Sequence, residues 1–394
     1  MRSSELIIFL IITLILYGVI NGYILWRGLQ AVSSLNLARL IFIIIFVFLV
    51  LAFPAGRIIN GQFRHHLSEV LISFGAVYLA LMIYLVMFLF LKDLVRWGAK
   101  IFKMPLAGFG WLSVKSPGSF FAIAGLAVLV VFLGHLNAIN PRLKILEIGI
   151  NKKVPAGTEL KAVLISDIHL GIINRSNRLE SLVSRVNQLQ PDLVFLAGDI
   201  VDEAVSLEEE EKMVFWLKKI DSRLGLYACP GNHEYYGGFD KNISYLERAG
   251  VTVLLDRAVK VDDCFFVIGR RDRAAASLGE KRLPLKEIMV KDNVDESWPV
   301  VVLDHQPLHL DEAAEAGVDL QLSGHTHAGQ LFPLNLINKF VYEKNWGYLK
   351  KGDTHIYVTS GSGTWGPPVR TGSRSEIVLL RLSFSGEREG GGDK

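Results

Sequence analysis

Two cysteines among 394 residues, Cys229 and Cys264, are too few and too far apart for a disulfide framework or a cysteine metal site. The formal net charge of +3 comes without a basic cluster, so the chain lacks the charged footprint of a nucleic-acid binder and none is expected as a partner. Up to about Ile139 the apolar stretches carry almost no ionisable residues, whereas a transporter or proton relay would place some along its pathway. No small-residue cleavage site follows the first apolar run, which argues against a removed signal peptide.

What remains in that half is an anchor. Four runs, Leu6 to Leu25, Leu37 to Phe53, Leu67 to Leu91 and Ser119 to Leu136, approach the ~20 helical residues that cross a hydrocarbon core of about 30 Å. Residues 1–150 are therefore expected to form a multi-pass transmembrane region of about four helices in the cell membrane. Lys92, Arg96, Lys100 and Lys103 recur at helical spacing among apolar residues, as in an interfacial amphipathic helix or an extension of the third span. Lys and Arg near the span ends divide equally between the two sides, but the densest basic loop lies between spans three and four. The positive-inside rule then puts that loop in the cytoplasm and the C-terminal domain outside it.

From Lys161 the composition changes. Short β-branched runs (Ala162 to Ile165, Leu193 to Leu196, Leu226 to Ala228, then Val251 to Leu255, Cys264 to Ile268, Val300 to Leu303, Ile356 to Thr359, Ile377 to Leu382) alternate at first with helical patterns over Arg175 to Gln190 and Leu207 to Ile220. The rhythm predicts a layered α/β domain over 155–384, and the glycine-rich end, 385–394, a disordered tail. Polar residues follow the strand ends, where open α/β sheets bind ligands. They read SDIHL (Ser166 to Leu170), GDIVD (Gly198 to Asp202), GNHE (Gly231 to Glu234), DHQP (Asp304 to Pro307) and GHTH (Gly324 to His327). Each alone has an ordinary explanation as a turn, a cap or a core histidine. Together they form a His/carboxylate set that suits Mn, Fe or Zn better than Ca or Mg.

The order of these five motifs resembles the calcineurin-like metallophosphoesterase superfamily over roughly Lys161 to Leu382. The resemblance implies a four-layer α/β/β/α sandwich and a centre of two divalent cations. Asp167, His169, Asp199 and His327 would hold one cation, and Asp199, Asn232, His305 and His325 the other. It further implies that His233 serves the leaving group with Asp202 on its other ring nitrogen. Chemically, a shared carboxylate offsets the repulsion of two close cations, and water between them acidifies toward an attacking hydroxide. The expected reaction is hydrolysis of a phosphate ester or pyrophosphate, in a phosphorylated small molecule or a membrane lipid, with Arg370 as a phosphate contact. Glu203 stands where phosphoprotein phosphatases of the superfamily have an arginine, which disfavours a phosphoprotein substrate. The rival expectation is a membrane receptor or scaffold that binds a ligand at the same site without turnover.

Overall fold

The computed structural model describes residues 3–32, 36–63, 66–103, 117–152, 154, 159–202 and 206–385. The chain separates into two compact units, Met1–Gly134 and His135–Lys394.

The first unit contains α1 (Ser3–Ala31), α2 (Asn36–Gln62), α3 (His66–Ile101) and most of α4 (Pro117–Ile139). All four are long and apolar enough to cross a membrane. They outrun the apolar stretches because their polar flanking turns stay helical. At 1.5 Å per residue the 36-residue α3 is about 54 Å long, well beyond a core of about 30 Å. The basic segment from Lys92 is therefore a continuation of the third span as far as Ile101, not a separate helix. Helices α2 and α3 approach closely at Gly75, where a Cβ would lie 2.4 Å from the Phe53 nitrogen.

The second unit begins with β1 (Arg142–Ile150) and β2 (Glu159–Ile165), followed by α5 (Ser176–Gln188), β3 (Leu193–Ala197), α6 (Leu207–Leu217) and β4 (Leu226–Cys229). Then come α7 (Asn232–Tyr236), α8 (Phe239–Arg248), β5 (Val251–Val253), β6 (Arg257–Val261), β7 (Phe265–Gly269), α9 (Leu285–Lys291), β8 (Val300–Leu303), α10 (Asp311–Glu315) and β9 (Leu320–Ser323). The chain closes with α11 (Leu334–Val341), β10 (Gly347–Lys351), β11 (Thr354–Val358) and β12 (Glu376–Phe384).

Two six-stranded mixed sheets result, ordered β1-β12-β2-β3-β4-β5 and β10-β11-β9-β8-β7-β6. Their inner faces share one apolar core, including Leu164, Phe195, Leu380, Val267, Leu303 and Tyr357. Helix α5 forms because Leu179, Leu182, Val183 and Val186 repeat on one face, and all four are buried. Ser206 caps α6 by accepting from the Glu209 N–H at 3.3 Å, and three glutamates in the first turn favour the same end. Helices α9 and α10 cover the outer face of the second sheet through Leu285, Ile288, Met289 and Ala313. The expected four-layer sandwich is what forms.

The expected border between 150 and 155 needs correction. Strand β1 pairs in parallel with β12 from Arg142↔Glu376 to Ile150↔Phe384, so it is part of the first sheet. The last turn of α4 also belongs to this unit: Asn137 Nδ2 donates to the carbonyls of Arg370 and Ser373 at 2.9 and 2.8 Å, and Ser375 Oγ donates to Ala138 O at 2.8 Å. The unit starts at His135 because these polar groups pair with its loops. The predicted disordered tail, apart from Ser385, lies outside the described residues, as does Glu203.

Candidate metal centre

Every motif lies just past a strand end. Asp167 and His169 follow β2, Asp199 follows β3, Asn232 opens α7 after β4, His305 follows β8, and His325 with His327 follows β9. Parallel strands bring these ends to one edge of the two sheets. Asp167, His169, Asp199, His325 and His327 all have positive φ, between 48° and 71°. Non-glycine residues rarely adopt that region, and such strain collects at functional sites. Gly231 is required by proximity, since a Cβ there would lie 2.2 Å from Asp199 Oδ1.

The side chains converge as the motifs predict. Asp167, His169 and His327 offer ligand atoms within 4.8 Å of one another, as do Asp199, His305 and His325. His169 Nε2 and His327 Nε2 are 3.1 Å apart, and metal–nitrogen bonds of about 2.0–2.1 Å at right angles would separate two ligands of one cation by roughly 3 Å. His305 Nδ1 donates to the Ala197 carbonyl at 2.7 Å, which turns Nε2 toward Asp199 Oδ2 at 3.0 Å; burial lowers the ring's pKa, but the Asp199 charge raises it well above its ordinary value overall. Asn232 Oδ1, His305 Nε2 and His169 Nδ1 are buried without hydrogen-bond partners. Two of these, Asn232 Oδ1 and His305 Nε2, are atoms a cation would satisfy. The donor set fits divalent transition metals.

Burial would raise the Asp199 pKa, but His305, His169 and His233 around it hold it well below the carboxylate range. Burial, with the positive charges of His305 or of Arg370 nearby, pushes His325 down to about 3 and His327 well below its ordinary value, so both rings are neutral as ligands must be. His233 behaves differently. Burial lowers its pKa, but the Asp202 hydrogen bond at 2.5 Å and the Asp199 and Asp202 charges raise it overall. An imidazole whose charged form is stabilised by a bound carboxylate suits proton donation. His233 Nδ1 is the nitrogen bound to Asp202, and its ring stands edge-on to His169 and near Tyr236 and Trp365, both exposed.

Arg370 does not sit where a phosphate contact was expected. It is fully buried, donating from Nη2 to the Ser360 and Gly363 carbonyls at 2.7 Å each and lying 3.0 Å from His327 Nδ1, with Nη1 reaching Ser373 Oγ at 3.0 Å. Those carbonyls lie in the turn after β11, and their bonds hold the guanidinium inward. A residue the motif reading left without a role is Glu234. It accepts from the N–H groups of Gly231, Asp199, Ile200 and Val201 at 2.6 to 3.0 Å, joining the GDIVD and GNHE loops. Burial and the Asp199 charge raise its pKa to about 7 against those bonds. Its sequence signal is a glutamate at the third position of a helix that starts after glycine, the place of a capping box.

Beyond the ligands lies α11, none of whose side chains is buried. Phe340 is 91% exposed, and Leu334, Leu336, Ile337 and Val341 are also exposed. Asn338 Nδ2 donates to Thr326 O at 2.8 Å, between the two histidines of GHTH, and Tyr342 packs edge-on to His325.

Residues 160–329 match the calcineurin-like phosphoesterase family. The chain is 37% identical over 226 residues to an uncharacterized metallophosphoesterase of Helicobacter pylori, covering 57% of this chain and 60% of that relative. It is 33% identical to a transmembrane protein with metallophosphoesterase domain of Bos taurus, over 65% of this chain and 62% of the relative. With an uncharacterized metallophosphoesterase of Campylobacter jejuni it shares 30% identity across 95% of this chain and 98% of the other, so the likeness includes the helical half. The strand-end ligands and this end-to-end likeness make the chain a member of the calcineurin-like phosphoesterase family.

Proposed function

We propose that the protein hydrolyses a phosphate ester or pyrophosphate bond at a centre of two divalent cations, Mn, Fe or Zn, with Asp199 shared between them. The observation that carries this reading is the convergence of three overlapping groups, Asp167 with His169 and His327, His169 with Asp199 and His233, and Asp199 with His305 and His325, beside the buried, unpartnered Asn232 Oδ1. Asp167, His169, Asp199 and His327 would hold one cation, and Asp199, Asn232, His305 and His325 the other. When bound, the cations supply Lewis-acid charge to the phosphoryl oxygens and acidify water. His233 gives its proton to the leaving oxygen, and Asp202 fixes the ring and stabilises its charged form. Glu234 keeps the two ligand loops in register through backbone N–H groups.

The substrate in this reading is a phosphorylated amphiphile presented by the cell membrane. What supports it is the exposed apolar face of α11, tied at Asn338 to the GHTH loop, together with exposed Trp365 and Tyr236 beside His233. An apolar helix with Lys339 and Lys344 at its edge suits an anionic interface. The basic residues Lys92, Arg96 and Lys100 toward the C-terminal end of α3 support a cytoplasmic position for that end and an extracytoplasmic one for the catalytic unit.

The test is a separation of metal content from turnover in the purified full-length protein. Asp199→Asn loses both, whereas His233→Ala keeps its metals and loses about 10²- to 10⁴-fold in rate toward an aryl phosphate. A metal-free His233→Ala protein would make His233 a ligand and overturn its assigned role.

A further inference from the structure

A second polar site lies in the helical unit, well apart in sequence from the metal ligands. Near the C-terminal ends of α1 and α3 is a cavity of about 440 Å³ whose walls include Tyr23, Trp26, Arg27, Asp93, Arg96 and Trp97. Asp93 is the organising group. It accepts from the Tyr23 hydroxyl at 2.6 Å, pairs with the Arg27 guanidinium, and meets Arg96 at 3.6 Å. Two arginines against one carboxylate leave one positive charge on the cavity wall. Arg27 is held in place from three sides: Nη1 donates to Gln30 Oε1 at 3.0 Å, and the guanidinium lies over the Trp26 ring at 4.4 Å and the Tyr23 ring at 5.6 Å. Yet its Nε is buried without a hydrogen-bond partner. A pre-positioned guanidinium beside a second arginine, in a positively charged cavity, is a site for an oxyanion.

The surroundings select the kind of oxyanion. Trp26 and Trp97 are 53% and 64% exposed, and Phe90 and Leu94 beside them are exposed as well. Indole rings at the end of a membrane helix mark the water–lipid boundary, and the apolar flank would lie against acyl chains. We propose that this cavity binds the phosphodiester headgroup of an anionic phospholipid, with Arg27 and Arg96 on the phosphate and the two tryptophans beside the glycerol backbone. A single excess positive charge matches the single negative charge of such a phosphodiester. Basic pockets between membrane helices recognise lipid headgroups on this principle. The site is independent of the hydrolytic one and stands whether or not the metal centre turns over.

The experiment is native mass spectrometry of the full-length protein in neutral detergent, titrated with phosphatidylglycerol, phosphatidylcholine or inorganic phosphate. One copy of phosphatidylglycerol should be retained, and neither of the others. Arg96→Gln should lower that retention about tenfold or more. Lys100→Gln removes the same charge one turn further along α3, outside the cavity, and should cost no more than about fivefold, the weight of one basic residue near an anionic surface. Arg27→Lys keeps the charge beside Asp93 but replaces the planar guanidinium held over Trp26 and Tyr23 by a mobile point charge, so it should also weaken binding while leaving the fold intact. Equal losses from Arg96→Gln and Lys100→Gln, or unchanged retention in Arg27→Lys, would overturn the proposal by reducing it to diffuse surface charge. Retention of phosphatidylcholine to the same degree would overturn the charge argument, and tight binding of inorganic phosphate alone would make the cavity a site for a soluble anion.

Discussion

Replacing Arg370 by methionine separates two roles that one arginine near a phosphoesterase centre could have. Its guanidinium is fully buried, and its two shortest bonds, to the carbonyls of Ser360 and Gly363, are both 2.7 Å. Hydrogen bonds to a charged group contribute about 1.5–3 kcal/mol each, so losing these two alone should cost about 3–6 kcal/mol. Methionine fills much of the volume but donates nothing, leaving the carbonyls unpaired. In a unit of this size each kcal/mol lowers the melting temperature by about 2–4 °C, so a fall on the order of 10 °C is expected in a thermal shift assay of the full-length protein. Because Arg370 also holds His327 Nδ1 at 3.0 Å, metal content measured by elemental analysis should fall with it. A variant with an unchanged melting temperature and full metal content, but a raised KM for an aryl phosphate, would refute this reasoning and return Arg370 to the phosphate.

Asp202→Asn should keep the metals and lower kcat about 10- to 100-fold, as loss of an orienting partner does, checked by steady-state kinetics with parallel metal analysis. Replacing Leu334 and Ile337 together with serine should reduce hydrolysis of a phospholipid in vesicles at least tenfold more than hydrolysis of a soluble aryl phosphate, both being exposed on α11. Equal losses on the two substrates would make α11 structural, and no loss on either would remove the lipid reading. Reporter fusions at Ile150 and at Lys103 should report opposite sides of the membrane, with Lys103 cytoplasmic.

The residues proposed as metal ligands stand out in the sequence because each sits where a buried apolar strand gives way to a short polar turn, and those turns carry glycine, aspartate and histidine for backbone reasons as well as chemical ones. Strands β3 and β8 read clearly as unbroken apolar runs. Strand β9 did not, because Gln321 interrupts it; that side chain is buried and donates to Ser323 Oγ at 3.2 Å. Strands β6 and β10 are half exposed and carry lysines, so they resemble loops. Strand β1 follows the fourth span directly and its partner is at the far end of the chain, which no local pattern reveals. The role of Arg370 was hidden for a similar reason: its carbonyl partners become a cage only when the turn after β11 closes.

The order β1-β12-β2 has a consequence for biosynthesis. The last strand lies between the first two, joining Arg142 to Glu376 across nearly the whole soluble unit. While the ribosome is still making the intervening segments, β1 and β2 have a vacant lane between them and each presents an unpaired edge. The first sheet cannot be completed until Glu376 to Phe384 have left the exit tunnel, so a nascent chain halted before Glu376 would be held at the membrane by its finished helices with an open sheet. Such a chain would be exposed to mispairing and to proteolysis for the whole of that interval, and its rescue would depend on the C-terminal nine-residue strand more than on any residue of the metal centre.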